Sequence, residues 1–495
     1  MLGARAGCYD SRMRAVVVAL VVLCVAGCGS SGMVPGHAGG APFTAAAAGG
    51  LTVTPVRDGY LRGDAKGLAL WGSRPWEIAV ATGDTAARVA VTSKNPAMLS
   101  VVPAGGRNRF VLQAQVVDDT STTCAKCRIV KPGTVVLRIV VAAAGQPART
   151  YHVPVTIAHK IIAVSLNPLP NPSLGSADAV LQYYDDNVSP SVVWDDIDLH
   201  NATSFPNVGG LAFGPDGALY VANSGVAGYS NGTVTEYAPQ STKASPIKTF
   251  ASSSLRSAAA VALDARGNLY VADNGFETVT RFPVKGAAVT WHPGWEAGAA
   301  VTGVAVDAAR GYLDVTMSCV GDFYPPHKTK VGRLTALPLN FTTSSAPLFT
   351  IDSNSKNGVN EPYGVAVDGT GRAFVVNDYV SIVEGPPGPG PEYSTLTTYG
   401  HGISSGTARP DATASRTLRW PLSVAADVAG NVYVANNTPP SQSGNPGTMW
   451  LVKYDGGNLQ KRSARIDLSA GMPADYGPYY LNIQGIAVEP SPLRR

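Results

Sequence analysis

The sequence predicts an all-β chain, a six-bladed β-propeller preceded by a β-sandwich. Three observations predict it. One short stretch recurs six times in the last 290 or so residues. Each recurrence is a pair of apolar runs joined by a turn built on Asp and Gly. The region ahead of it, residues 51 to 158, holds at least six strand-like runs and no helical periodicity.

The clearest copies are Val261-Ala262-Leu263-Asp264-Ala265-Arg266-Gly267-Asn268-Leu269-Tyr270-Val271-Ala272-Asp273-Asn274 and Gly210-Leu211-Ala212-Phe213-Gly214-Pro215-Asp216-Gly217-Ala218-Leu219-Tyr220-Val221-Ala222-Asn223. Leu211, Val261, Val304, Val365, Val424 and Ile486 mark the same position in each copy, with spacings of 50, 43, 61, 59 and 62 residues. The first run alternates small and apolar residues, which suits the crowded centre of a ring. Gly then supplies the reversal, and the second run, such as Leu-Tyr-Val-Ala, has the aromatic and β-branched character of a strand. Two weaker runs follow, for example Thr233-Val234-Thr235-Glu236-Tyr237 and Ile247-Lys248-Thr249-Phe250, or Thr278-Val279-Thr280-Arg281-Phe282 and Val289-Thr290-Trp291. Four antiparallel strands in 40 to 60 residues make a propeller blade.

The last copy, Gly485-Ile486-Ala487-Val488, has no room for its remaining strands. Ile161-Ile162-Ala163-Val164 is expected to serve as its second strand, Val180 to Tyr184 as the third and Val192-Val193-Trp194 as the fourth. The sixth blade is thus built from both ends of residues 159 to 495, which removes the free sheet edges of an open ring.

The pattern Gly-Val-Ala-Val-Asp at 364–368, with Gly-Asn-Leu-Tyr-Val-Ala-Asp at 267–273, resembles the NHL-repeat family of six-bladed propellers. It is also similar to the related streptogramin-lyase and gluconolactonase-type propellers. The resemblance covers roughly residues 160 to 495 and rests on strand and turn residues, so it speaks to fold more than to activity.

Residues 1 to 28 read as a secretion signal. Arg12 and Arg14 precede an apolar run, Ala15 to Val25, too short to span a bilayer as a stable helix. Met13 is an alternative start. The run ends in Val25-Ala26-Gly27-Cys28, which resembles a bacterial lipobox and implies lipidation at Cys28. With Gly29 after the Cys, the usual sorting rule implies an outer-membrane or other cell-envelope location. Residues 29 to 50, rich in Gly, Ala and Ser, read as a flexible tether. Residues 51 to 158 are expected to form the sandwich. Ser93-Lys94-Asn95-Pro96-Ala97-Met98-Leu99 and Pro132-Gly133-Thr134 give it a likeness to bacterial Ig-like domains. Leu166-Asn167-Pro168-Leu169-Pro170-Asn171-Pro172 reads as a stiff junction.

Charged residues make up 15% of the chain and the formal net charge is +4. No basic stripe with interleaved aromatics is present, which argues against nucleic acid as a partner. Cys124-Ala125-Lys126-Cys127 admits a redox pair, half a zinc site or a local disulfide. A zinc site needs two further ligands and a redox pair needs a helix start, so the disulfide is the favoured reading. Cys319 reads as a free buried thiol.

In gluconolactonase-type relatives a carboxylate or amide precedes the first strand of several blades. The corresponding positions here are Gly209, Ala259, Thr302, Tyr363, Leu422 and Gln484, an uncharged set that suits no divalent cation. A streptogramin-lyase reading needs His and Glu at the channel mouth. The nearest candidates are His327 with Asp322 in a third-blade insertion, and His401 in the fourth.

The second strands end in a recurring amide or acid: Asn223, Asp273, Asn274, Asn377, Asp378, Asn436 and Asn437. These cap turns or, together with Tyr363, form a polar ring that binds a peptide or sugar. Long loops such as Glu384-Gly385-Pro386-Pro387-Gly388-Pro389-Gly390-Pro391 would decorate the rim. The expectation is a lipid-anchored binding or scaffold protein for protein or glycan, with no cofactor or metal implied. The alternative is a propeller lyase or hydrolase with a metal at the channel mouth.

Overall fold

The computed structural model describes residues 76–118, 133–158, 246–294, 300–318, 332–353 and 448–468 continuously, together with shorter stretches between 45 and 488 that carry the other strands. Two five-stranded sheets come first. One runs Ala45–Ala47, Leu51–Pro55, Trp76–Ala81, Arg109–Ala114, Leu99–Pro103. The other runs Arg62–Asp64, Gly67–Trp71, Arg149–Ala158, Gly133–Ala142, Arg88–Ser93. Ile78 and Leu112 of the first sheet share one core with Leu137 and Val155 of the second, all fully buried. Buried residues alternate with half-buried or exposed ones along Trp76–Ala81, as a sheet with one face on a core requires. The tether is shorter than expected: Ala45–Ala47 pairs antiparallel with Leu51–Val53. An edge strand needs only backbone pairing, which composition does not reveal.

Six four-stranded sheets follow. Five are sequential: blade 1 spans 208–251, blade 2 258–291, blade 3 300–352, blade 4 362–414 and blade 5 420–467. The sixth joins the two ends. Leu481–Val488 pairs with Ile161–Pro168, then Ala179–Tyr184, then Asp196–Asp198. Two expectations are corrected here. The fourth strand of this blade is Asp196–Asp198, while Val192–Trp194 lies outside the described residues. Leu166-Asn167-Pro168 is strand rather than junction, because Leu166 is fully buried against Ile483 and its neighbours.

The buried apolar side chains of the propeller group by seam, with one cluster between each pair of neighbouring blades. Ala487 and Ala163 of the sixth blade pack with Leu211 and Val221 of the first, so the ring closes. Phe213 packs against both that cluster and the sandwich core.

The Asp–Gly turns explain the repeat, Asp-x-x-Gly in blades 2, 4 and 5 and Asp-x-x-x-Gly in blade 3. Asp264, Asp307, Asp368 and Asp427 are all buried, and each accepts hydrogen bonds from its own turn. Asp264 Oδ1 accepts the amides of Arg266 and Asn268, both at 2.9 Å, and Oδ2 accepts the Asn268 side chain at 2.7 Å. The Gly amide donates back to the Asp carbonyl with φ near 84°, for example at Gly371. Two Arg residues extend the clamp to the next blade. Arg310 pairs with Asp307 and donates to Gly371 O at 2.8 Å; Arg372 pairs with Asp368 and donates to Gly456 O at 2.9 Å.

Candidate functional site

All six inner strands carry a one-residue bulge at the same place. In five blades the two residues flanking the irregularity pair regularly with the second strand and one extra residue lies between them; in blade 1 Gly209 and Gly210 together stand opposite Ala222. The extra residues are Gly209, Ala259, Thr302, Tyr363, Leu422 and Gln484, the positions that the gluconolactonase-type resemblance singles out. A bulge kinks the strand and re-aims its residue, which is why bulges gather at binding and catalytic rims. Each of these residues is partly exposed while its neighbours toward the blade core are mostly buried.

The residue after each bulge is small: Gly210, Ala260, Gly303, Gly364, Ser423 and Gly485. The inner strands meet there. A Cβ on Gly210 would lie 2.8 Å from Ala260 Cα, one on Gly303 3.1 Å from Gly364 Cα, and one on Gly485 2.8 Å from Gly210 Cα. Side chains bolt the same level together. Ser165 Oγ donates to Gly209 O at 2.5 Å, Thr302 Oγ1 to Pro362 O at 2.7 Å, and Ser423 Oγ accepts the Ile486 amide at 3.2 Å. The ring is therefore rigid backbone presenting one uncharged side chain, or none, per blade.

The amides and acid of the second strands face inward. Asn223, Asp273, Asn377, Asn436 and Asn437 are all buried to 1% exposure or less. Asn223 Nδ2 donates to Val221 O and Thr235 Oγ1. Asp273 accepts the amides of Arg256, Ser257 and Phe276 at 2.7 to 2.8 Å. Burial nevertheless raises its carboxyl above the ordinary value, and the amides of Phe276, Ser257, Arg256 and Gly275 offset only part of that rise. Asn377 Nδ2 donates to Gly358 O at 3.0 Å. Asn437 grips the last strand twice, accepting from the Ile483 amide at 2.9 Å and donating to Ile483 O at 3.2 Å. Each of these four spends side-chain polar atoms on its own fold. Asn274 is exposed in the turn after Asp273, and Tyr363 is the bulged residue of blade 4. Cys28, Cys124, Cys127, Cys319, Asp322, His327, Asp378, His401 and the loop 384–391 lie outside the described residues.

Sequence reasoning passed over Asp314. It is fully buried on the second strand of blade 3, and burial beside Asp307 pushes its carboxyl up to about 8. The available signal was an acid where the same place in blades 1, 2, 4 and 5 holds Tyr220, Tyr270, Phe374 and Tyr433.

Among the described residues no group of three or more His, Cys, Asp or Glu could hold a metal ion, and no helix is long and apolar enough to cross a membrane. No protein-family model matches the chain, and a comparison with curated proteins finds no match. Solved structures do resemble it. A protein of unknown function from Bacteroides caccae is 12% identical with a TM-score of 0.43, covering 68% of this chain and 99% of that one. A nidogen/laminin complex is 13% identical with a TM-score of 0.41, covering 66% and 98%. A gluconolactonase from Xanthomonas campestris is 14% identical with a TM-score of 0.34, covering 62% and 85%. These are likenesses in outline; the propeller assignment rests on the chain's own six sheets and their closure.

Proposed function

We propose that this is a lipid-anchored cell-envelope protein whose propeller binds protein or glycan, with an Ig-like sandwich between the anchor and the propeller. The observation that supports it most is the bulge ring. Every blade offers one position at the inner rim, and these hold Gly209, Ala259, Thr302, Tyr363, Leu422 and Gln484. An aromatic, an amide and a hydroxyl on a stiff frame suit a neutral ligand that stacks and hydrogen-bonds. A divalent cation or an acid–base pair would want carboxylates or His there. Asp264, Asp273, Asp307, Asp368 and Asp427 are spent on turns and caps.

A second reading, a lyase or hydrolase, draws on the sequence of the third-blade insertion, where Asp322 and His327 stand five residues apart. The two readings part on metal, which the enzyme holds and the binding module does not. The anchor has its own test. Replacing Cys28 with Ala should move the protein from the membrane fraction to the soluble one; a Cys28→Ala protein that stays with the membrane would exclude lipidation at this residue.

A further inference from the structure

The seam between blades 3 and 4 differs from the other five in holding an acid; the sixth-to-first seam has Ala163 at the same place. At four seams an aromatic side chain of the second strand fills the gap to the next blade: Tyr220, Tyr270, Phe374 and Tyr433. At the third-to-fourth seam the same register position is Asp314. It pairs with Ala305, as Tyr270 pairs with Ala262. Ala305 belongs to the apolar cluster that joins Leu334 and Ile351 of blade 3 to Val365, Val375 and Tyr399 of blade 4. Directly paired residues share a face, so Asp314 lies on the face turned to blade 4.

The same geometry sets its neighbour. In blade 2 the Tyr270 hydroxyl reaches the turn acid and donates to Asp264 Oδ2 at 3.2 Å. In blade 3 the turn acid is Asp307, two residues beyond Ala305 on the same face. An acid thus stands where a hydrogen-bond donor stands in blade 2. Asp307 is already engaged, accepting from Arg310 at 2.6 Å, and Arg310 also reaches Gly371 O of blade 4. Asp314 Oδ2 is buried and finds no partner among the described residues.

We infer that Asp314 and Asp307 form a carboxyl pair holding one guanidinium and one proton, and that this pair makes the seam between blades 3 and 4 a pH-sensitive joint of the ring. Two buried acids beside a single Arg cannot both be charged without one uncompensated charge in an apolar seam. The proton sits on Asp314, since Asp307 has Arg310. Raising the pH releases that proton to solvent and leaves an uncompensated carboxylate on the face that packs into this apolar seam.

The charged groups acting on Asp314 are Asp307, which raises its carboxyl, and Arg310, which lowers it; burial is the larger cause. From blade 4 the cluster presents Tyr399, whose phenol burial also pushes up, so it stays neutral. The carboxyl of Asp314 rises from 3.8 to about 8 in the folded chain. A raised folded value means that the fold keeps a proton which the unfolded chain has already lost. The contribution is fully present below pH 4 and is lost as pH rises to about 8, then levels off.

The test compares the pH dependence of thermal stability in the full chain with that of Asp314→Asn. Asn keeps the shape and cannot ionise. Across this window the folded-to-unfolded ratio of the native chain should fall relative to Asp314→Asn by up to about tenfold per pH unit. Asp314→Phe, which copies Phe374 of blade 4, should flatten the profile in the same way. The burial of Asp273 contributes with the same sign but is common to all three proteins. In the native chain alone, infrared difference spectra should show a protonated carboxyl at pH 7 that titrates away near 8. Parallel pH profiles for the native chain and Asp314→Asn, or no protonated carboxyl at pH 7, would overturn the proposal.

Discussion

Replacing Gly485 with Val should open the ring. A Cβ at this position would lie 2.7 Å from Gly209 O, 2.8 Å from Gly210 Cα and 2.9 Å from Ser165 Oγ. Two of those three atoms are backbone of the next blade's bulge, which cannot swing aside as the end of a long side chain would. Gly485 belongs to the strand that closes the sheet between the two ends of the propeller, so relief must come from separating blade 6 from blade 1. That separation would break the Ser165–Gly209 hydrogen bond and expose the cluster around Val208, Leu211 and Ala487. Overpacking alone costs about 1–3 kcal/mol, and exposing part of a seam adds to it. The expected loss is therefore about 3 kcal/mol or more, read from chemical denaturation of the propeller. Gly83, with open space around its Cβ direction, is the control and should tolerate Ala with little change. Equal stability of Gly485→Val and the native chain would mean that the inner strands do not meet as described.

Asp273→Ala should be nearly as damaging for a different reason. It removes the acceptor for the amides of Arg256, Ser257 and Phe276 while leaving those amides in place. A buried donor left unmade costs about 1–3 kcal/mol; these three are part-buried, so losing them together should cost about 3 kcal/mol. Asp273→Asn keeps one carbonyl oxygen and should recover roughly half of that loss. The equivalent places in blades 1, 4 and 5 already hold Asn223, Asn377 and Asn436, so the amide fits the site sterically. If Asp273→Ala binds less ligand but unfolds like the native chain, the residue belongs to a binding face instead.

These two residues show what the sequence made legible and where it stopped. The Asp-x-x-Gly turn and the alternation of Gly-Val-Ala-Val are short-range signals, each contained in one hairpin, so the inner and second strands stand out. Third strands such as Thr278–Phe282 follow from the same alternation. Fourth strands are edges, where charge is tolerated and pairing is all that is needed. Asp196–Asp198 therefore carried no strand signature, while the more apolar Val192–Trp194 drew attention instead. The bulge was invisible because it constrains backbone rather than residue type: Gly, Ala, Thr, Tyr, Leu and Gln all occupy it. The strand-end amides were visible as a pattern, but only the structure shows whether they turn out to solvent or back to the chain. Asn437 turns back, spanning 46 residues to reach Ile483. Asp314 was hidden by the opposite problem. A single departure from a repeated aromatic looks like drift until its register places it beside Asp307.

The central claim is that an uncharged ring at the propeller centre binds a neutral ligand without a metal. Elemental analysis of the purified protein, beside a thermal melt with and without chelator, tests it most directly. The account predicts no stoichiometric metal and a melting temperature indifferent to chelator. One metal per chain, whose removal lowers the melting temperature, would contradict it and direct the chemistry to Asp322 and His327.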